Sequence, residues 1–241
     1  MNLKEMMAGL PVCCLLLISA PVLSEDQAWF RLHGFSEDGA YAAWEMGGIQ
    51  DGSGFQWIQF EILKTNSSLP EDGFCHVWDE YVDELPERAD MDSINVRIDD
   101  LCREFRIIPG NTGDPLIYHP VTDLGVRGDT VTFCLEYFTP NYNSGELILV
   151  LTTLPVNCEQ DYPDWFPSPV TPVLGIIEKG EKHLLFTEDT LPELHRMNFG
   201  YGIAAVYSNP TEHNSLLVVL HSVRPGFEGS DGRFRVVSGS F

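Results

Sequence analysis

The sequence predicts a mainly β protein, an antiparallel sandwich or distorted barrel, with one amphipathic helix over about 93–108 covering it. Three observations carry this. Short runs of β-branched and aromatic residues are separated by Gly-, Asp- and Pro-containing turns along most of the chain. In one of them Val131, Phe133, Leu135 and Tyr137 alternate with Thr132, Cys134 and Glu136, the period of a strand that packs one face. A single stretch, Ser93 to Ile108, has the period of a helix instead.

Taken in order, the chain opens on "MNLKEMMAGLPVCCLLLISAPVLS", with Lys4 before an apolar run from Leu10 to Leu23 and small residues before a cleavage point after Ser24. This is the pattern of a secretory signal peptide over 1–24, followed by one β-rich domain over 25–241. No later run reaches the roughly 18 apolar residues of a transmembrane helix, so the mature chain is expected to have none.

Strands are predicted at "AWFRLHGF" and "AYAAWEM", joined through Asp38-Gly39, whose glycine supplies the positive φ of a tight turn. "FQWIQFEIL" (55–63) follows the turn "QDGSG", and a short helical turn is expected at 76–85. Ile94, Ile98, Leu101, Phe105 and Ile108 then form the apolar stripe of the helix, with Asp92 or Ser93 as N-cap and Pro109-Gly110 as its stop. Further strands are expected at 130–137, 146–154, 172–179, 183–187, 202–208, 215–223 and 233–239. Two of these, "LILVL" and "LLVVL", are apolar on both faces and belong at sheet centres. The four prolines of "DYPDWFPSPVTP" (161–172) exclude a central strand there and predict a loop.

A formal net charge of −22 argues against nucleic acid or anionic lipid as partners, since phosphate recognition needs a surplus of Lys and Arg. The acidic stretch 76–92 lacks the glycine and closing glutamate of a calcium loop and is expected to be a solvated surface. Cleavage leaves Cys75, Cys102, Cys134 and Cys158, an even number in an exported chain, which suggests two disulfides. The short loops favour Cys75 with Cys102 and Cys134 with Cys158. No metal-ligand spacing occurs, and no cofactor is implied.

Neither a G-x-S-x-G elbow nor H-E-x-x-H is present, and the glycine loops do not match a phosphate cradle. The histidines are scattered singly. His33 and His221 stand out because each lies beside one of two similar glycine corners, "GFSEDG" and "GFEGSDG". That repetition at opposite ends of the chain predicts that the termini meet and that the corners adjoin. The residues offered as ligand-binding are therefore His33, Asp38, Asp51, His221, Arg224 and Asp231 around the corners. Tyr162 and Trp165 join them from "YPDWF", where rings can stack on a sugar or a protein.

"GFSEDGAYAAWE" resembles the hairpin of TolB-type β-propeller blades, although the motif does not recur at a blade period. The mature chain as a whole resembles an uncharacterised bacterial family of predicted secreted proteins, a domain of unknown function (2259). The likeness is carried by that phrase, "QDGSGF", "IIPGNTGDPLIYHPVTDLG" and "RPGFEGSDGRFRVV". It implies export to the periplasm or beyond, a mainly β fold and no established activity, and it supplies no catalytic residues. The function expected is a non-enzymatic envelope module that binds a protein or glycan. The alternative is a hydrolase of envelope or extracellular polymers, assembled from acids and histidines far apart in sequence.

Overall fold

The computed structural model describes residues 26–50, 52–66, 70–77, 91–119, 129–135, 145–156, 168–187, 198–212, 214–226 and 229–241. These form twelve strands and one helix. β1 (Trp29–Phe35), β2 (Tyr41–Ile49), β3 (Gln56–Lys64) and β4 (Pro70–Val77) make the first sheet, in that order. After α1 (Met91–Glu104) come β5 (Pro115–Tyr118), β6 (Thr130–Cys134), β7 (Glu146–Pro155), β8 (Val170–Glu178) and β9 (Glu181–Phe186). β10 (Gly200–Ser208), β11 (Ser215–Pro225) and β12 (Ser230–Ser240) complete the set. The second sheet has the order β12-β11-β10-β5 and the third β6-β7-β8-β9. Every pairing within the three sheets is antiparallel.

Alternation along the strands decides which faces meet. In the first sheet Ala42, Trp44, Met46, Trp57 and Leu63 point inward and pack on Leu217, Val219, Phe234 and Val236 of the second. The opposite face of the second sheet, with Ile203, Val206, Leu216, Val218 and Leu220, packs on Val131, Phe133, Leu147, Leu149, Leu174 and Ile176 of the third. The second sheet is thus buried on both sides, which is why "LLVVL" of β11 is apolar throughout. "LILVL" of β7 is internal to its sheet, yet it buries only Leu147, Leu149 and Leu151, leaving Ile148 and Val150 half-buried.

Helix α1 covers the outer face of the first sheet, as its stripe requires. Ile94, Ile98, Leu101 and Cys102 pack on Ala43, Ile58, Phe60 and Ile62. The helix begins before the expected caps, so Asp92 lies within its first turn, where a carboxylate suits the helix dipole. It also ends earlier than 108. Arg106 adopts a left-handed φ of 53°, Ile107 N–H donates to the Cys102 carbonyl and Arg106 N–H to that of Arg103. These are the two bonds of a Schellman stop, usually built on glycine. Ile108, past the stop, is 43% exposed.

The GFSEDG corner forms the expected hairpin. Asp38 accepts from the Ser36 hydroxyl and the Ala40 amide, Ser36 Oγ accepts from Tyr41 N–H, and Gly39 takes a φ of 71°. The termini do meet: Gly232 N–H donates to the Asp26 carbonyl and Ala28 N–H to that of Gly232. The two corners do not adjoin. Asp38 and Gly39 receive bonds from Thr211 and Asn209, just before β11, whereas the second corner starts where β11 ends, a strand length of about 33 Å away. The propeller likeness gains nothing beyond this one hairpin, since the first and third sheets lie against opposite faces of the second.

Other expectations are corrected. Cys75, Cys102 and Cys134 are free thiols. Phe74 packs toward α1 on the outer face of the first sheet, so Cys75, its neighbour in the strand, points the other way and is separated from Cys102 by the sheet. Cys134 pairs with Glu146 at the start of β7, and Cys158, its expected partner, lies outside the described residues. Residues 76 and 77 are strand rather than helix, and the rest of 76–85 lies outside the described residues. Val170 to Pro172 begin the internal strand β8 despite the proline. β9 pairs with β8 only from Leu174 onward, so Pro172 needs no amide on that side.

Candidate functional site

Among the described residues, two of the clefts are lined from both the first and the second sheet. The charged one, about 470 Å³, opens between the β2–β3 turn and the β11–β12 corner and is lined by Gln50, Gly52, Ser53, Arg224 and Gly226. Beside it Arg233 Nη2 donates to Asp26 Oδ2 at 2.6 Å and to Asp231 Oδ2 at 3.1 Å. Its Nη1 donates to the carbonyls of Asp26 and Gly232, and the guanidinium lies 4.5 Å from the Trp57 ring centroid. Arg224 Nε stands 3.6 Å from Asp231 Oδ2. Burial, and then the charge of Arg233, lower the pKa of Arg224 from its ordinary value. Two carboxylates and two guanidinium groups converge here, and Arg233 sits between the acids. That arrangement ties the N-terminal segment to β12.

The second cleft, about 440 Å³, lies between β1 and the exposed part of the second sheet's inner face. Its floor follows from a β-bulge. The pairing of β10 with β11 slips between Ile203 and Ala205, and both Ala204 and Ala205 pack toward the first sheet. Two consecutive small residues leave space where a regular strand would offer one side chain. Phe30 and Leu32 of β1 form one wall, and Phe30 is fixed by rings at 5.8 Å (Trp44) and 5.3 Å (Phe234). Tyr118, opposite Ala205 in register, and Tyr207 form the other wall. Tyr118 is 70% exposed at the mouth. Burial, and next the neighbouring Tyr118, push the Tyr207 hydroxyl above the usual tyrosine value, so it is a neutral donor at ordinary pH. Gln27, Thr112 and His119 add polar groups to the rim, with His119 Nδ1 3.3 Å from the Ile203 carbonyl. Among the described residues no Asp, Glu, Lys or Arg lines this cleft.

Of the residues singled out from sequence, Arg224 and Asp231 come together in the charged cleft. His33 is the extra residue of a bulge in β1; its Nε2 is 3.2 Å from Glu45 Oε2 and its ring meets Phe60 edge-on. His221 lies in register with Phe234, between the sheets. The two imidazoles therefore face different layers. Asp38 serves the hairpin turn, its pKa lowered chiefly by the Ser36 hydroxyl and next by the Ala40 amide. Asp51, Tyr162, Trp165 and Cys158 lie outside the described residues. Sequence reasoning missed Asp26, Arg233, Tyr118 and Tyr207. "RFR", two arginines alternating in an apolar strand, was the available signal for Arg233, because a charge at a core position demands a partner.

Compared with known proteins, residues 43–240 match the model of one family, described as "Predicted secreted protein (DUF2259)". No curated protein and no solved structure matches the chain.

Proposed function

The chain belongs to the DUF2259 family of predicted secreted proteins, and from that premise we propose that it is a non-enzymatic binding module of the cell envelope, acting in the periplasm or outside the cell. Its ligand site is the aromatic cleft beside β1. The observation that carries this is the cleft's construction: a floor of two alanines set by a β-bulge, between walls of Phe30, Leu32, Tyr118 and Tyr207. Such a site is concave, mostly apolar and edged by a few polar groups, as ligand pockets are. The charged cleft supports the non-enzymatic reading, because Arg233 engages both carboxylates at once. General acid–base work needs one group free to move a proton.

Thermal-shift screening of residues 25–241 against libraries of saccharides, peptides and lipids tests the proposal. At least one class is expected to raise the melting temperature in wild type and not in Tyr118→Ala, and to be recovered intact by mass spectrometry. Recovery of cleaved ligand would establish the hydrolase instead. Shifts indifferent to Tyr118 would remove the aromatic cleft as the site.

A further inference from the structure

Taking the aromatic cleft as the ligand site, we infer that its ligand is a short segment of a neutral saccharide. Three features of the cleft select this class. Its lining carries no Asp, Glu, Lys or Arg among the described residues, in a chain of which 21% is charged. An ionic ligand would thus leave its charge unpaired on binding, and an anionic one would also approach a chain of net charge −22. The walls offer ring faces, with Tyr118 exposed at the mouth and Phe30 held in place by Trp44 and Phe234. Ring faces match the C–H faces of a pyranose.

The third feature is the mixture of groups. An acyl chain needs an apolar tunnel, whereas this rim presents the hydroxyls of Tyr118, Tyr207 and Thr112, the amide of Gln27 and the imidazole of His119. Hydroxyls, a carboxamide and an imidazole are hydrogen-bond donors and acceptors suited to sugar hydroxyls. A ligand with one apolar face and a hydroxyl-bearing edge satisfies floor, wall and rim together.

The test is a printed array of neutral and acidic glycans probed with the mature chain. Isothermal titration then follows with the leading glycan, dodecanoate and a neutral apolar heptapeptide. Neutral glycans are expected to dominate the array. Tyr118→Ala should weaken their binding by about fivefold to tenfold through lost ring contact. Tyr207→Phe, which keeps the ring, should weaken it by about threefold to tenfold through a lost hydrogen bond. Arg224→Ala, in the other cleft, should leave it unchanged. If dodecanoate, the peptide or only acidic glycans bind with the same dependence on Tyr118, the saccharide assignment is overturned while the cleft stands. If no probe's binding depends on Tyr118, both fail.

Discussion

Replacing Arg233 with methionine keeps most of the side chain's volume and removes four hydrogen bonds at once. Two run to carboxylates at 2.6 and 3.1 Å, and two to main-chain carbonyls at 3.1 and 2.9 Å. The consequences for the two acids differ. Asp231 retains Arg224 at 3.6 Å, but Asp26, whose side chain is 2% exposed, keeps no cation within ion-pair distance among the described residues. A buried carboxylate stranded in this way costs about 3–5 kcal/mol. Asp26→Asn is milder, since Arg233 still has Asp231 and both carbonyls; losing one charge-assisted bond costs about 1.5–3 kcal/mol. For a chain of this size Arg233→Met corresponds to a fall in Tm of about 6–20 °C. Urea denaturation of both variants and of the double variant measures the order and the coupling. Hydrogen exchange at the Ala28 and Gly232 amides, which join the N-terminal segment to β12, locates the damage. An Arg233→Met protein within about 1 kcal/mol of wild type would refute the reasoning, as would a milder loss than that of Asp26→Asn.

Three further outcomes follow from the same geometry. Gly34 has a φ of 150° and a Cβ there would fall 2.3 Å from the Ile108 carbonyl, while Gly54, with a φ of 74°, faces open space. Gly34→Ala should therefore lose clearly more stability in urea melts than the roughly 1 kcal/mol expected of Gly54→Ala. Alkylation under denaturing, non-reducing conditions should add label to Cys75, Cys102 and Cys134, as read by peptide mass. In the folded protein Cys102, whose thiol burial pushes up to about 11, should react slowest, being about one part in a thousand thiolate at pH 8. The Glu61 carboxyl is raised, by burial first, against the opposing bond from Gln59. A raised carboxyl binds its proton more tightly in the folded than in the unfolded state, so its ionisation costs stability above the folded pKa and nothing below the unfolded one. Glu61→Gln should consequently gain on wild type as pH rises through that window and lose the gain in acid, by melting at a series of pH values.

Much of the architecture was legible because the signals are local. Val131, Phe133 and Leu135 are buried and Thr132 is exposed, as their alternation requires. The α1 stripe covers a sheet face because three- and four-residue steps put Ile94, Ile98 and Leu101 on one side. The four-residue β5 went unread, since so short a segment has no measurable period, and β4 was obscured by the charges and glycine of "PEDGFCHV". The disulfide expectation failed because loop length says nothing about which face of a sheet a cysteine occupies.

The sites were less legible than the fold. Arg224 and Asp231 were found from a turn motif, but their partner Arg233 reaches an aspartate 207 residues away. The floor of the aromatic cleft depends on one slipped residue in the pairing of β10 with β11. Hydrophobic period and turn chemistry, which each segment carries within itself, determined strands, helix and hairpin. Which faces stack, which cysteines are kept apart and where a bulge opens a cavity were decided by tertiary structure alone, because those depend on the register and packing of segments that touch only after the chain has folded.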